Sequence, residues 1–127
     1  MAKLLIVDDE PEIVEILESF IEDSHSVKAV TTFKEATELL KSSQFDLVLS
    51  DLNMPGVKAE NLISCYLAAN PKILIMIMSG YGSGSPQIEG ALKNGAHAFL
   101  EKPFLDPGSI LEIIDEALLS QKPALAG

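Results

Sequence analysis

Asp51 closes the apolar run Phe45 to Ser50 and opens the turn Leu52-Asn53-Met54-Pro55-Gly56. Two further acids, Asp8 and Asp9, close the run Leu4 to Val7. Lys102 comes just after Ala98-Phe99-Leu100, and Ser79 follows the stretch from Lys72 to Met78. Four strand-like segments therefore each end in polar groups. In a parallel sheet those ends share one edge, where α/β folds place their ligand sites. The carboxylates of Asp8, Asp9 and Asp51 suit a hard divalent cation, Mg²⁺ or Mn²⁺, that keeps room for water and phosphate oxygens. Without such a cation the acids repel one another and hold protons more tightly. Asp51 is then a candidate nucleophile toward phosphorus, giving an aspartyl phosphate. Lys102 offers a compact cation to a phosphoryl oxygen, and Ser79 offers a hydroxyl donor to another.

Each residue taken alone also has a plainer role. Asp8 or Asp9 can serve as an N-cap. Asp51 can shape the turn before Pro55-Gly56. Lys102 can be a solvated surface lysine and Ser79 a loop serine. The combination favours a site, because all of them fall at strand ends in one topological register.

The elements that must position them alternate strand and helix from end to end. Strands are expected at Lys3 to Val7, Ser26 to Val30, Phe45 to Ser50, Ile73 to Met78 and His97 to Leu100. Lys3 to Val7 and Ile73 to Met78 are short and apolar, as strands buried on both faces should be, and Ser26 to Val30 carries a weaker strand pattern. Helix one carries Ile13, Ile16, Leu17, Phe20 and Ile21 at helical spacing, with Asp9 as its expected N-cap and Pro11 in its first turn. Thr32-Phe33-Lys34-Glu35 reads as a capping box that opens helix two, with Ala36, Leu39 and Leu40 facing in. Helix three is expected from Lys58 to Ala69 and a short helix four from Gln87 to Lys93, stopped by Asn94-Gly95. Helix five starts at Asp106-Pro107 and turns Ile110, Leu111, Ile113, Ile114, Ala117 and Leu118 inward.

The chain has 127 residues, one ordinary domain expected over 1–122, with a short Pro/Ala/Gly-rich tail at 123–127. Hydrophobic residues make up 47%, enough for a full core. Acids outnumber bases 19 to 9, every base is Lys, and the net charge is −10. Such a balance argues against direct nucleic-acid binding, which needs clustered positive charge. The longest apolar run, Ile73 to Met78, is too short for a bilayer, and no signal peptide precedes Lys3. A cytoplasmic location and no membrane partner are expected. The single cysteine, Cys65, excludes an internal disulfide and reads as a packing residue. His25 is expected to be exposed in a polar turn, and His97 to begin strand five.

Asp8-Asp9, Asp51 within Asp51-Leu52-Asn53-Met54-Pro55-Gly56, Ser79-Gly80, Phe99 and Lys102-Pro103-Phe104 together resemble a response regulator receiver domain of two-component signalling. The resemblance covers the whole chain. It implies that Asp51 is the phosphoacceptor and that Asp9 is the main metal-binding acid. Asp8 assists through water, and the backbone carbonyl of Asn53 completes the protein ligands. It implies that Ser79 and Phe99 form a conformational switch pair and that the Lys102-Pro103 peptide is cis. Asn53 and Tyr81 would flank the approach of water to the phosphoryl group. The chain departs from commoner family patterns in carrying Ser79 rather than Thr, Phe99 rather than Tyr, and Tyr81 two residues past the switch hydroxyl.

The implied fold is a doubly wound, flavodoxin-like α/β domain. Five parallel strands stand in the order 2-1-3-4-5, with five flanking helices. The implied partners are a sensor histidine kinase or histidine phosphotransfer protein as donor, with a small acyl phosphate as an alternative. A downstream protein target would bind the face formed by helix 4, strand 5 and helix 5. The implied chain is a signalling domain that promotes its own Mg²⁺-dependent phosphorylation and dephosphorylation, not an enzyme. Two rivals fit the sequence less well. An aspartyl-phosphate phosphatase usually has a general acid two residues after the nucleophile, where this chain has Asn53. A flavodoxin-like cofactor carrier needs a Ser/Thr/Gly loop after strand one, where Asp8-Asp9-Glu10 would repel a phosphate.

Overall fold

Strands and helices alternate along the chain: β1 Lys3–Val7, α1 Pro11–Ile21, β2 Ser26–Val30, α2 Phe33–Ser42, β3 Leu47–Asp51, α3 Ala59–Ala69, β4 Leu74–Ser79, α4 Pro86–Lys93, β5 Ala98–Glu101 and α5 Pro107–Gln121. The computed structural model describes residues 2–80, 85–102 and 107–121. The strands form one parallel sheet in the order β2-β1-β3-β4-β5, as the sequence led us to expect. Parallel neighbours need crossover connections, and the helices supply them.

Strand alternation divides the core in two. Leu4, Ile6, Leu47, Leu49, Leu74, Met76, Met78 and Leu100 pack with Val14, Leu17 and Ile21 of α1 and Ile110, Ile114 and Ala117 of α5. Leu5, Val7, Val48, Ile75 and Ile77 point the other way, onto Ala36 and Leu40 of α2, Leu62, Ile63 and Tyr66 of α3, and Ile88 and Ala91 of α4. Both faces of β1, β3 and β4 are therefore covered, which is why their sequences are runs rather than alternations. The strand order reverses between β1 and β3, and in open sheets of this kind the crevice for a ligand opens there, beyond the carboxyl ends.

Several boundaries differ from expectation because side chains take over ladder positions. At β3 the expected start was Phe45, but Asp46 Oδ2 accepts the Lys3 N–H at 2.8 Å, and regular pairing begins at Leu47. At β5 the ring of His97 accepts the Ile75 N–H through Nδ1 at 3.2 Å, so the strand starts one residue later than expected. Before β4, the Ile73 N–H turns back to the Asn70 carbonyl, and Leu74 is the first strand residue. At the other ends, Asp51 and Ser79 are the last residues of β3 and β4 rather than the first of the following loops.

Helix starts divide likewise. The Thr32 hydroxyl accepts the Glu35 N–H at 3.2 Å and donates to the Glu35 carboxylate at 3.0 Å, so α2 opens as expected. Helix α1 does not use Asp9 as its cap. Glu10 holds the N-cap position in extended conformation without a side-chain cap bond, and Pro11 leads the first turn. The inward stripe of α1 is also shifted: Val14 is buried, whereas Ile16 is 42% exposed. Gly95, with φ +123°, follows α4, where an L side chain would be strained and its Cβ would lie 3.0 Å from Leu67.

His25 corrects another expectation. Its side chain is only 10% exposed, not free in a polar turn. Nδ1 accepts the Ala2 N–H at 3.0 Å, which places the ring proton on Nε2, and Nε2 lies 2.9 Å from Asp115 Oδ1 of α5. One imidazole thus ties the start of β1 to the last helix. Replacing it removes two hydrogen bonds worth about 0.5–1.5 kcal/mol each. His25→Ala should lower unfolding stability by about 1–2 kcal/mol in urea melts at neutral pH. An unchanged midpoint would remove this contact from the interactions that hold the fold.

Candidate functional site

Asp8 follows β1 directly and is wholly buried. A buried carboxylate needs partners on both oxygens. Oδ1 accepts the Glu10 N–H at 2.9 Å, and Oδ2 accepts from Lys102 Nζ at 2.8 Å. Asp8, not Asp9, is therefore the acid that braces the entry to α1, and Asp9 lies exposed beside it. Lys102 follows β5, and its own N–H donates to the Ser79 carbonyl at 2.8 Å, tying it to the end of β4. Its ammonium lies 3.5 Å from Asp51 Oδ2 and 3.9 Å from Glu10 Oε1.

Asp51 is 8% exposed at the tip of β3. Its Oδ1 accepts the Asn53 N–H at 3.3 Å. Burial pushes the Asp51 carboxyl above its ordinary value; the ammonium of Lys102 and the Asn53 N–H oppose the shift, and the charge of Asp8 adds to it. Burial pulls Lys102 the other way, but its hydrogen bond to Asp8 and the charges of Asp51 and Asp8 outweigh this and hold it above the ordinary lysine value. The site thus keeps its ammonium charged and leaves Asp51 short of compensation.

Asp8, Asp9 and Asp51 each present a carboxylate oxygen, and the three lie within 4.8 Å of one another. These are hard donors bearing more negative charge than Lys102 balances. The set fits Mg²⁺ or Mn²⁺ with coordination room left for phosphate or water oxygens.

The structure brings together Asp8, Asp9, Asp51 and Lys102, with the Asn53 N–H bound to the Asp51 carboxylate. Ser79, 1% exposed, ends the neighbouring strand one residue beyond the Asp51–Met78 pair. Phe99 lies on β5 opposite Ile77, half-buried against the α2–α4 side of the core. Tyr81 and Pro103, with the expected cis peptide, lie outside the described residues, as do Phe104, Asp106 and the glycines at 82 and 84.

Two residues beside the site escaped the sequence reading. Ser50 and Tyr66 are both wholly buried, and their hydroxyls lie 2.7 Å apart. The available signal was a serine at an inward position of an otherwise apolar strand, and a tyrosine four residues past Leu62 on the inner stripe of a helix.

The response regulator receiver domain family matches residues 4–115. Response regulator protein PilR of Pseudomonas aeruginosa is 38% identical over 125 residues, which is 95% of this chain and 27% of PilR. Transcriptional regulatory protein FixJ of Bradyrhizobium diazoefficiens is 33% identical over 124 residues, 95% of this chain and 58% of FixJ. The chain spans between 26% and 29% of the length of the first three curated relatives it matches. The crystal structure of a CheY-like response regulator receiver domain protein from Methanospirillum hungatei superposes with a TM-score of 0.85 at 27% identity, covering 95% of this chain and 96% of that one.

The upward shift of Asp51 has a consequence for stability. The folded state binds this proton more tightly than the unfolded chain. Stability from protonated Asp51 is therefore present at low pH and lost as pH rises from the ordinary value of 3.8 through the folded one. Asp51→Asn, which cannot ionise, should raise the urea midpoint at pH 7 in metal-free buffer. The advantage should narrow steadily as pH falls toward 4, the region of the ordinary value. A parent protein as stable as the variant at pH 7 would contradict the uncompensated charge.

Proposed function

The chain belongs to the response regulator receiver domain family, and on that premise we propose that it is a phosphorylation-gated signalling domain whose phosphoacceptor is Asp51. One observation carries the assignment: Asp8, Asp9 and Asp51 present oxygens within 4.8 Å of one another while Lys102 reaches the same carboxylates from the end of β5. An oxygen of Asp51 forms a bond to phosphorus as the donor's P–N or P–O bond breaks. The electron pair leaves on the imidazole of a sensor histidine kinase or histidine phosphotransfer protein, or on the carboxylate of a small acyl phosphate. Asp51 suits attack because burial raises its basicity, and the Lys102 ammonium opposes that shift.

Asp8, Asp9 and Asp51, with the Asn53 carbonyl, would hold Mg²⁺ or Mn²⁺. When bound, the ion supplies neutralisation of the charge on the phosphoryl oxygens. Lys102, held in place by Asp8, stabilises one phosphoryl oxygen, and the Ser79 hydroxyl bonds another. Ser79 ends β4 next to β5, so its movement toward the phosphoryl group would open space for Phe99 to turn inward. The readout surface is then α4, β5 and α5, where Leu92 of α4 stands 40% exposed, and the target is a protein. The domain acts by shifting between two states with different partner affinity, not by turnover of a substrate.

Acetyl phosphate with Mg²⁺ should add one phosphoryl group to the protein, and none to Asp51→Asn, by intact mass spectrometry. An adduct of equal yield on the variant would move the acceptor elsewhere. Mg²⁺ alone should raise the melting midpoint of the parent. A ligand at ten to a hundred times its Kd stabilises by about 1–3 kcal/mol. Asp9→Ala, which removes an exposed carboxylate that the fold does not need, should abolish most of that gain. An unresponsive parent at tens of millimolar metal would contradict the metal assignment.

A further inference from the structure

Ser50 immediately precedes Asp51 and points to the other side of the sheet, toward α3. Its hydroxyl donates to the backbone carbonyl of Asp51 at 2.9 Å. A hydroxyl has a single hydrogen, so the 2.7 Å contact between Ser50 and Tyr66 is donated by Tyr66. Donation therefore runs in one direction, from Tyr66 O–H to Ser50 Oγ and from Ser50 O–H to the Asp51 carbonyl. Burial pushes the Tyr66 phenol far above its ordinary value, so the donor stays protonated. Its ring is steadied by Phe33, with centroids 5.5 Å apart.

The position of this relay matters because Asp51 is held unequally. Toward β4 the ladder extends past it, to the Asp51–Met78 pair and the Leu52 N–H on the Met78 carbonyl at 3.0 Å. Toward β1 the register ends at Val7 and Ser50, one residue short. The carboxylate itself has long contacts, 3.3 Å to the Asn53 N–H and 3.5 Å to Lys102 Nζ. These lie at or beyond the outer range of good hydrogen bonds and orient the group weakly. Placement of the carboxylate then depends on the main chain that carries it.

We infer that Tyr66 and Ser50 form a hydroxyl relay from α3 that positions the Asp51 main chain, and through it the carboxylate, for in-line attack on phosphorus. The inference rests on the reading of Asp51 as phosphoacceptor. Neither hydroxyl meets the phosphoryl group, so both are positioning residues. Reaction rates fall steeply when a reacting atom is misplaced, even by groups remote from the chemistry. Tyr66→Phe removes the first donor and keeps the ring; Ser50→Ala removes the link itself.

The test is the rate of Asp51 phosphorylation by acetyl phosphate and Mg²⁺, followed by intact mass across donor concentrations. Tyr66→Phe should slow the rate at saturating donor about three- to tenfold, the range a single lost hydrogen bond supports. The half-saturating donor concentration should not change. Ser50→Ala should slow it at least as much, and the double variant should match Ser50→Ala alone because the two act in series. Ile73→Val serves as a packing control just before β4, at the opposite edge of the sheet, and should react at the parental rate despite its lower melting midpoint. Parental rates for Tyr66→Phe and Ser50→Ala, or a loss in Ile73→Val that scales with stability as theirs does, would overturn the relay alone. No adduct on the parent would overturn the Asp51 reading and the relay with it.

Discussion

The contact between Lys102 and Asp8 organises the site. It spans 2.8 Å between groups 94 positions apart and joins the end of β5 to the end of β1, in front of β3 and β4. Asp8 is wholly buried and would be costly to ionise there without this partner. The pairing commits the ammonium to Asp8 and leaves it 3.5 Å from Asp51. The ammonium at that distance opposes the upward shift of Asp51 but does not outweigh burial. A tighter pair between Lys102 and Asp51 would stabilise the carboxylate and lower its basicity. The wholly buried Asp8 thus sets how closely Lys102 approaches Asp51.

That arrangement is possible because the sheet is covered on both faces. Strands buried on two sides have apolar side chains until the last residue or two, where the helices no longer cover them. Polar residues appear at these ends: Asp8 just after β1, Ser50 and Asp51 closing β3, and Ser79 closing β4. Their depth is the ordinary result of sitting at the rim of a two-layer core. Parallel pairing then places these ends on one edge, and the order reversal between β1 and β3 falls between Asp8 and Asp51.

The fold, and the gathering of Asp8, Asp9, Asp51 and Lys102 at one sheet edge, were legible in the sequence because both follow from local patterns. Short runs rich in apolar residues, alternating with helical patterns, locate the strands, and polar groups follow four of them at one edge. What sequence reasoning missed depended on contacts distant in sequence. His25 looked like a turn residue because Ala2 and Asp115, which bind its two nitrogens, are remote along the chain. The cap of α1 was assigned to Asp9 by position, whereas the carboxylate of Asp8 takes the Glu10 N–H because Lys102 anchors that side chain. Val14 lies inside and Ile16 partly outside because α1 packs against α5 as well as the sheet, which turns its stripe away from the expected one. Strand ends slipped by a residue or two wherever Asp46 or His97 put a side chain in a ladder position.

Among the described residues, the Asp8–Lys102 and Ser50–Tyr66 pairs at this edge differ in what stability explains. Removing one member of the Asp8–Lys102 pair would strand a charge in the core, so each member accounts for the other. Ser50 and Tyr66 are neutral. An apolar pair of similar shape at those positions would cost little, because replacing both partners of a buried hydrogen bond is often nearly neutral. Packing alone therefore gives no reason for two hydroxyls beneath Asp51. Direction gives one. The Ser50 hydroxyl ends on the carbonyl of Asp51, at the residue where the β1 side of the ladder has run out. An alanine and a phenylalanine would fill the same space and leave that carbonyl without this donor. The hydroxyls extend the restraint of the sheet by one residue, to Asp51, the proposed phosphoacceptor.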